Sequence, residues 1–175
     1  MERVMSERID VRRPKNGLAA VFKAIILAGA AGGLLDIFGA VIVYGPILHL
    51  TKSSLQIFQS VATGVLGAGA FDGGAATEFL GFTLHMFISF VAAAIYVFLG
   101  FAIPTLFRRP IIFGHVFGVI VYFVMTKIVV PLSAAPARTP PDLDQLLIAM
   151  SLNVFLFGVP IAIVAGRLLS PRADH

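Results

Sequence analysis

The sequence predicts an all-α integral membrane protein: a four-helix transmembrane bundle with one additional extracytoplasmic helix, amphipathic or re-entrant. Three observations predict it. Of 175 residues, 58% are hydrophobic and 13% charged, about half the charged share of a soluble domain, and the mean hydropathy is +0.96. Four apolar stretches, over residues 24–44, 79–101, 111–130 and 146–166, each reach the roughly 20 residues that cross a hydrocarbon core. The basic residues gather beside alternate ends of those stretches, as they do when they set orientation in a bilayer. A single transmembrane domain thus occupies residues 1–175, with no room for a soluble one.

The composition also excludes chemistry. There is no cysteine, so disulfides, thiolate catalysis and Cys-ligated metals or clusters are ruled out. The pI near 9.9 resembles a nucleic-acid signal. The cations flank membrane spans, however, so the expected partner is the lipid bilayer and not nucleic acid. Residues 1–23 followed by an apolar run, with Ala28-Gly29-Ala30 as a cleavage-like site, resemble a signal peptide. Lys23 leaves too short an apolar segment before that site, and the run continues to Tyr44, so a retained span is expected.

The chain opens on a polar, basic stretch, Met1 to Gly17. Span one, 24–44, has small residues four apart, Ala28, Gly32, Asp36 and Ala40, with Gly29 and Gly33 beside them. Such faces let membrane helices approach closely, and they point Asp36 into the bundle. Gly45 and Pro46 are expected to end the helix. Residues 55–71 follow, with Leu55, Phe58, Val61, Ala62, Val65 and Leu66 on an apolar face and Gln56, Gln59, Ser60, Thr63 and Gly67 on a polar one, the pattern of an amphipathic helix. The Ser53-Ser54 pair is expected to cap it, and Asp72 lies among glycines in a turn.

Span two, 79–101, is introduced by Glu78 and carries His85. Pro104 and Arg108-Arg109-Pro110 make a turn. Span three, 111–130, carries His115, Tyr122 and Lys127, and Pro131 is expected to stop it. Thr139-Pro140-Pro141-Asp142 reads as the start of span four, with a Thr cap and Pro at the first position. Span four, 146–166, contains Asn153 and Pro160, which is expected to kink it.

Charge then sets the orientation. With four spans, Arg3, Arg8, Arg12, Arg13, Lys15, Lys23, Arg108, Arg109, Arg167 and Arg172 share one side. Lys52 and Arg138 lie on the other, with Lys127 near its edge. The excess predicts both termini in the cytoplasm and a multi-pass protein of a bacterial cytoplasmic membrane.

Depth, at 1.5 Å per residue, places Asp36, His85, Tyr122 and Asn153 at about 12, 9, 12 and 10 Å from the outer ends of their spans. One hydrogen-bonding side chain from each span therefore shares a layer. Thr126 and Lys127 lie a turn above it and Glu78 at its rim. Such a layer is either a polar plug that fixes helix register or a proton relay or ligand site with Asp36 and His85 as its titrating pair. Other candidates are weaker. His115 lies far below His85, so the two cannot hold a haem between them. His49 lacks a partner at ligand spacing, Lys127 is expected to snorkel, and no nucleophile or phosphate-loop motif is present. No cofactor, no metal and no enzymatic activity are expected.

Three segments carry a resemblance: LHMFISFVAAAIY in span two, FRRPIIFGHVFGV into span three and VVPLSAAPARTPP out of it. They resemble the YagU-type family of uncharacterised bacterial inner-membrane proteins, over about half the chain. The resemblance implies a polytopic inner-membrane protein without an established activity, with His85 as the family-like histidine of span two. By that resemblance Asn153 stands where a second histidine is expected in span four, and the resemblance does not explain residues 55–71. The expectation is a non-enzymatic accessory or oligomer-forming subunit, in a homo-oligomer or larger membrane complex. The alternative is a proton-coupled transporter or permeation unit using Asp36 and His85.

Overall fold

The computed structural model describes residues 17–49, 51, 53, 55–137 and 141–170. The basic N-terminal stretch as far as residue 16, Lys52, Ser54, Arg138, the Thr139-Pro140 start signal and Arg172 lie outside the described residues. Those described form helices and no strand. Four helices are long and apolar enough to cross a membrane: α1 (Leu18–Ile47), α3 (Gly74–Ala102), α5 (Pro110–Leu132) and α6 (Leu143–Leu169). Between them lie α2 (Gln56–Leu66) and the short α4 (Thr105–Arg108). The protein is a multi-pass membrane protein; helices with all backbone bonds internal are what an apolar chain of this kind forms in lipid.

Every span extends past its predicted ends. Helix α1 starts at Leu18, so Lys23 lies inside it, and Glu78 lies in the second turn of α3 rather than ahead of it. Three prolines lie beside irregular turns of their spans. A proline removes the N–H that would bond the carbonyl four residues back. Each is accommodated in or just after a wide π turn, where bonds skip five residues. Pro46 sits inside Val43–Ile47, closed by Leu48 N–H donating to the Val43 carbonyl at 2.9 Å. Pro131 follows Met125–Val129, and Pro160 follows Asn153–Gly158. Helix α1 ends at Ile47 and α5 at Leu132, each one residue past its proline as expected, and a π turn precedes Pro160. Span four begins at Leu143 with Asp142 in the cap position, not at Pro140. The chain follows an extended course at Asp142, which delays the first turn.

The glycines set the packing. Gly29 and Gly33 bring α1 against Phe90 and Ser89 of α3. Gly32 brings the other side of α1 against Phe157 and Ile161 of α6. Helices α5 and α6 meet backbone to backbone: a Cβ on Gly118 would lie 2.6 Å from Val154 Cα, and one on Gly158 2.6 Å from Gly118 Cα. Helix α1 thus lies between α3 and α6, with α5 on the far side of α6. The core fills the end near α4, around the fully buried Tyr96, Ile161 and Val97.

Helix α2 is shorter than residues 55–71. Gly67 ends it at φ +63°, and a 3₁₀ stretch, Gly67–Asp72, leads into α3. It packs on α3 so closely that a Cβ on Gly81 would collide with the Phe58 carbonyl. Its buried residues are Phe58, Gln59, Ala62 and Thr63, while Leu55, Val65 and Leu66 are exposed. The predicted division into faces is therefore rotated. Gln59 turns inward because Thr77 Oγ1 and the Gly74 carbonyl, both at 3.5 Å, accept its amide.

Candidate intramembrane polar site

Asp36 and His85 meet where α1, α3 and α6 converge. The bare backbone at Gly33, one turn before Asp36, lets α3 come close. His85 Nε2 is 3.0 Å from the Gly33 carbonyl. A carbonyl only accepts, so Nε2 carries the proton of that bond. The same nitrogen is 3.8 Å from Asp36 Oδ2, longer than a hydrogen bond and within ion-pair range. The Phe157 ring meets the His85 ring edge-on at 6.5 Å and closes the α6 side. The side chains of His85 and Asp36 keep 13% and 16% of their surface, so the pair is enclosed but not sealed. Among the described residues it is the single such pair, and it is ionic only when the imidazole is protonated.

Tyr122 and Asn153 lie elsewhere, at the seam of α5 and α6. Tyr122 is buried and packs edge-on against Phe123. Asn153 opens the π turn of α6, and its Oδ1 is buried without a partner among the described residues. No hydrogen bond joins these two to Asp36 or His85. Hydrogen bonds therefore do not join the four side chains into one network. Of the rim residues, Thr126 is exposed and its hydroxyl donates to the Tyr122 carbonyl at 2.8 Å. Lys127 is exposed on α5, and Glu78 is half-exposed on α3.

A cavity of about 550 Å³ opens at the end of the bundle opposite α4. Tyr44 of α1, Tyr122 of α5, Gln56 and Ser60 of α2, Gln145 of α6 and Thr51 line it. Tyr44, Thr51 and Gln145 line this cavity without being marked as site residues by the sequence pattern. A signal exists for one of them: Gln145, Ala149 and Asn153 are spaced four apart, on one face of α6. Thr51 Oγ1 is buried with no partner among the described residues. The cavity thus holds unsatisfied hydroxyl capacity, which water or a solute would fill. Each of the three π turns lies on a span that walls it or leads from it, and π turns concentrate at functional sites.

Chemically, a carboxylate and an imidazole this close can hold and pass protons, and the Tyr44 and Tyr122 hydroxyls can donate or accept hydrogen bonds above them. Among the described residues no three His, Asp or Glu side chains cluster to hold a metal. Comparison with known proteins finds no matching family model, no similar curated protein and no similar solved structure.

Proposed function

We propose that this protein is a non-enzymatic, proton-coupled binding and permeation unit. A small solute enters the cavity, and protonation at Asp36 and His85 governs its passage. The observation that carries the reading is the Asp36–His85 pair, 3.8 Å apart and partly accessible, on spans that also wall a 550 Å³ cavity or pack against its walls. Ionisable groups within membrane spans face cavities or partners and serve ion or proton pathways. Asp36 lies eight residues before Tyr44, about 12 Å along α1, from the cavity wall. The setting that fits the charge pattern and the likeness to the YagU-type family is a bacterial cytoplasmic membrane, with both termini inside and the cavity facing outward.

The test is proton flux into liposomes under an imposed pH gradient, wild type against Asp36→Asn. The expected outcome is normal abundance and assembly with at least a tenfold loss of pH-driven flux. Equal flux in the variant removes the proposal.

A second reading, an accessory or oligomer-forming subunit, is favoured by α5. That helix packs mainly on α6, with Phe117 against Tyr96 of α3, and leaves Ile111, Val116, Ile120 and Ile128 exposed along its length. Against it, the small-residue faces of α1, α5 and α6 are already occupied within the chain. The mass of the complex extracted in mild detergent separates the two: a stoichiometric foreign subunit favours the accessory reading.

A further inference from the structure

Lys127 apart, the described charges near the ends of the bundle are segregated by sign. Asp72, Glu78, Asp142 and Asp144 lie at the end where α3 and α6 begin, and Asp36 lies within α1. Lys23, Arg108, Arg109 and Arg167 lie at the other end. Among the described residues none of these four cations has an ion-pair partner.

Arg108 and Arg109 are exposed, yet the turn that carries them is anchored in the core. The two residues before them, Leu106 and Phe107, are buried. The hydroxyl of fully buried Tyr96 donates to the Leu106 carbonyl at 3.0 Å. The Ser170 hydroxyl, from the end of α6, donates to the Phe107 carbonyl at 3.0 Å. The Phe107 ring stands edge-on to Phe101 at 5.7 Å. Helices α3 and α6 thus fix the arginine turn from both sides. Beside it the surface forms a shallow, wide-open hollow of about 490 Å³ along five consecutive residues, Arg108, Arg109, Pro110, Ile111 and Ile112. The two isoleucines are 59% and 57% exposed. One wall is therefore cationic and the other aliphatic, at the level where the spans leave the hydrocarbon.

We propose that this hollow binds an anionic phospholipid, its phosphate between the Arg108 and Arg109 guanidiniums and its acyl chains along Ile111 and Ile112. Guanidinium matches phosphate in charge and in bidentate geometry. Basic residues beside a span attract anionic headgroups. A free phosphate would use the cationic wall and leave the aliphatic one without purpose. The assignment is independent of any role for Asp36 and His85.

Native mass spectrometry of the full chain in mild detergent, with phosphatidylglycerol or phosphatidylcholine added, tests it. Wild type retains phosphatidylglycerol in preference. R108Q/R109Q lowers that preference about 30-fold, the equivalent of about 1 kcal/mol per arginine. K127Q, at the opposite end, leaves it unchanged. An unaltered preference in R108Q/R109Q overturns the proposal. Should that variant fail to fold, wild type in rising NaCl decides: retention that falls supports guanidinium binding, and salt-independent retention overturns it. Inorganic phosphate that displaces the lipid at matched concentration overturns the lipid assignment in favour of a free anion.

Discussion

His85 reaches α1 because Gly33 has no side chain. An alanine Cβ there would lie 2.6 Å from Ser89 Oγ and 2.8 Å from Ser89 Cβ. Ser89 is fully buried and its hydroxyl is already bonded to the His85 carbonyl at 2.9 Å, so it cannot move aside cheaply. Gly33→Ala therefore pushes α3 away and opens the His85–Gly33 contact. The expected cost is about 1–3 kcal/mol, typical of overpacking, read as a lowered midpoint of thermal unfolding in detergent, together with reduced pH-driven flux. Unchanged stability would mean that the two helices adjust without strain. At this scale the sequence was informative about depth and silent about direction. Asp36 and His85 stood out because ionisable groups are rare in these spans, and the small residues around Asp36 showed which side faces inward. Tyr122 and Asn153 were matched in depth by helical rise. Rise says nothing of rotation, and the π turns beginning at Met125 and Asn153 shift the faces beyond them.

Elements were legible by type and misread at their ends. Apolar runs mark where lipid lies, but helices continue into the interface, where backbone groups still need partners. Prolines near the ends do mark the stops to within a residue, and a wide turn absorbs the missing donor just before each helix ends. Helix α2 shows a further limit. Its periodicity was plain, but the buried side was decided by what α3 offers, namely a glycine for the Phe58 backbone and a threonine for Gln59. The face left over carries exposed Leu55, Val65 and Leu66, which suits a helix lying in the bilayer interface. The chain has no cysteine, so single-cysteine labels report without background. A fluorophore on Val65→Cys is expected to be quenched strongly by lipids brominated near the headgroup, and one on Ser53→Cys weakly. An unquenched label at 65 places that face in water and removes the interfacial reading.

At the scale of the molecule, orientation follows from where charge can remain. Arg108, Arg109 and Arg167 are exposed at one end of the spans, with Lys23 on the same side. Of the described cations only Lys127 approaches the other end. Retaining Lys and Arg on the cytoplasmic side is the strongest known determinant of topology for short loops, and every loop here is short. The Arg108–Arg109 turn should therefore face the cytoplasm, and the cavity the outside. Thr105→Cys and Ser53→Cys test this, because both positions are exposed and lie at opposite ends of the bundle. A membrane-impermeant maleimide applied to intact cells is expected to label Ser53→Cys at once and Thr105→Cys only after permeabilisation. The reverse pattern inverts the protein. It also inverts the direction of coupling, since protons would then reach Asp36 and His85 from the cytoplasm. Labelling of both sites on intact cells would imply two populations of opposite orientation. The expected pattern leaves one arrangement: the cavity open to the outside and the arginine turn against the inner leaflet.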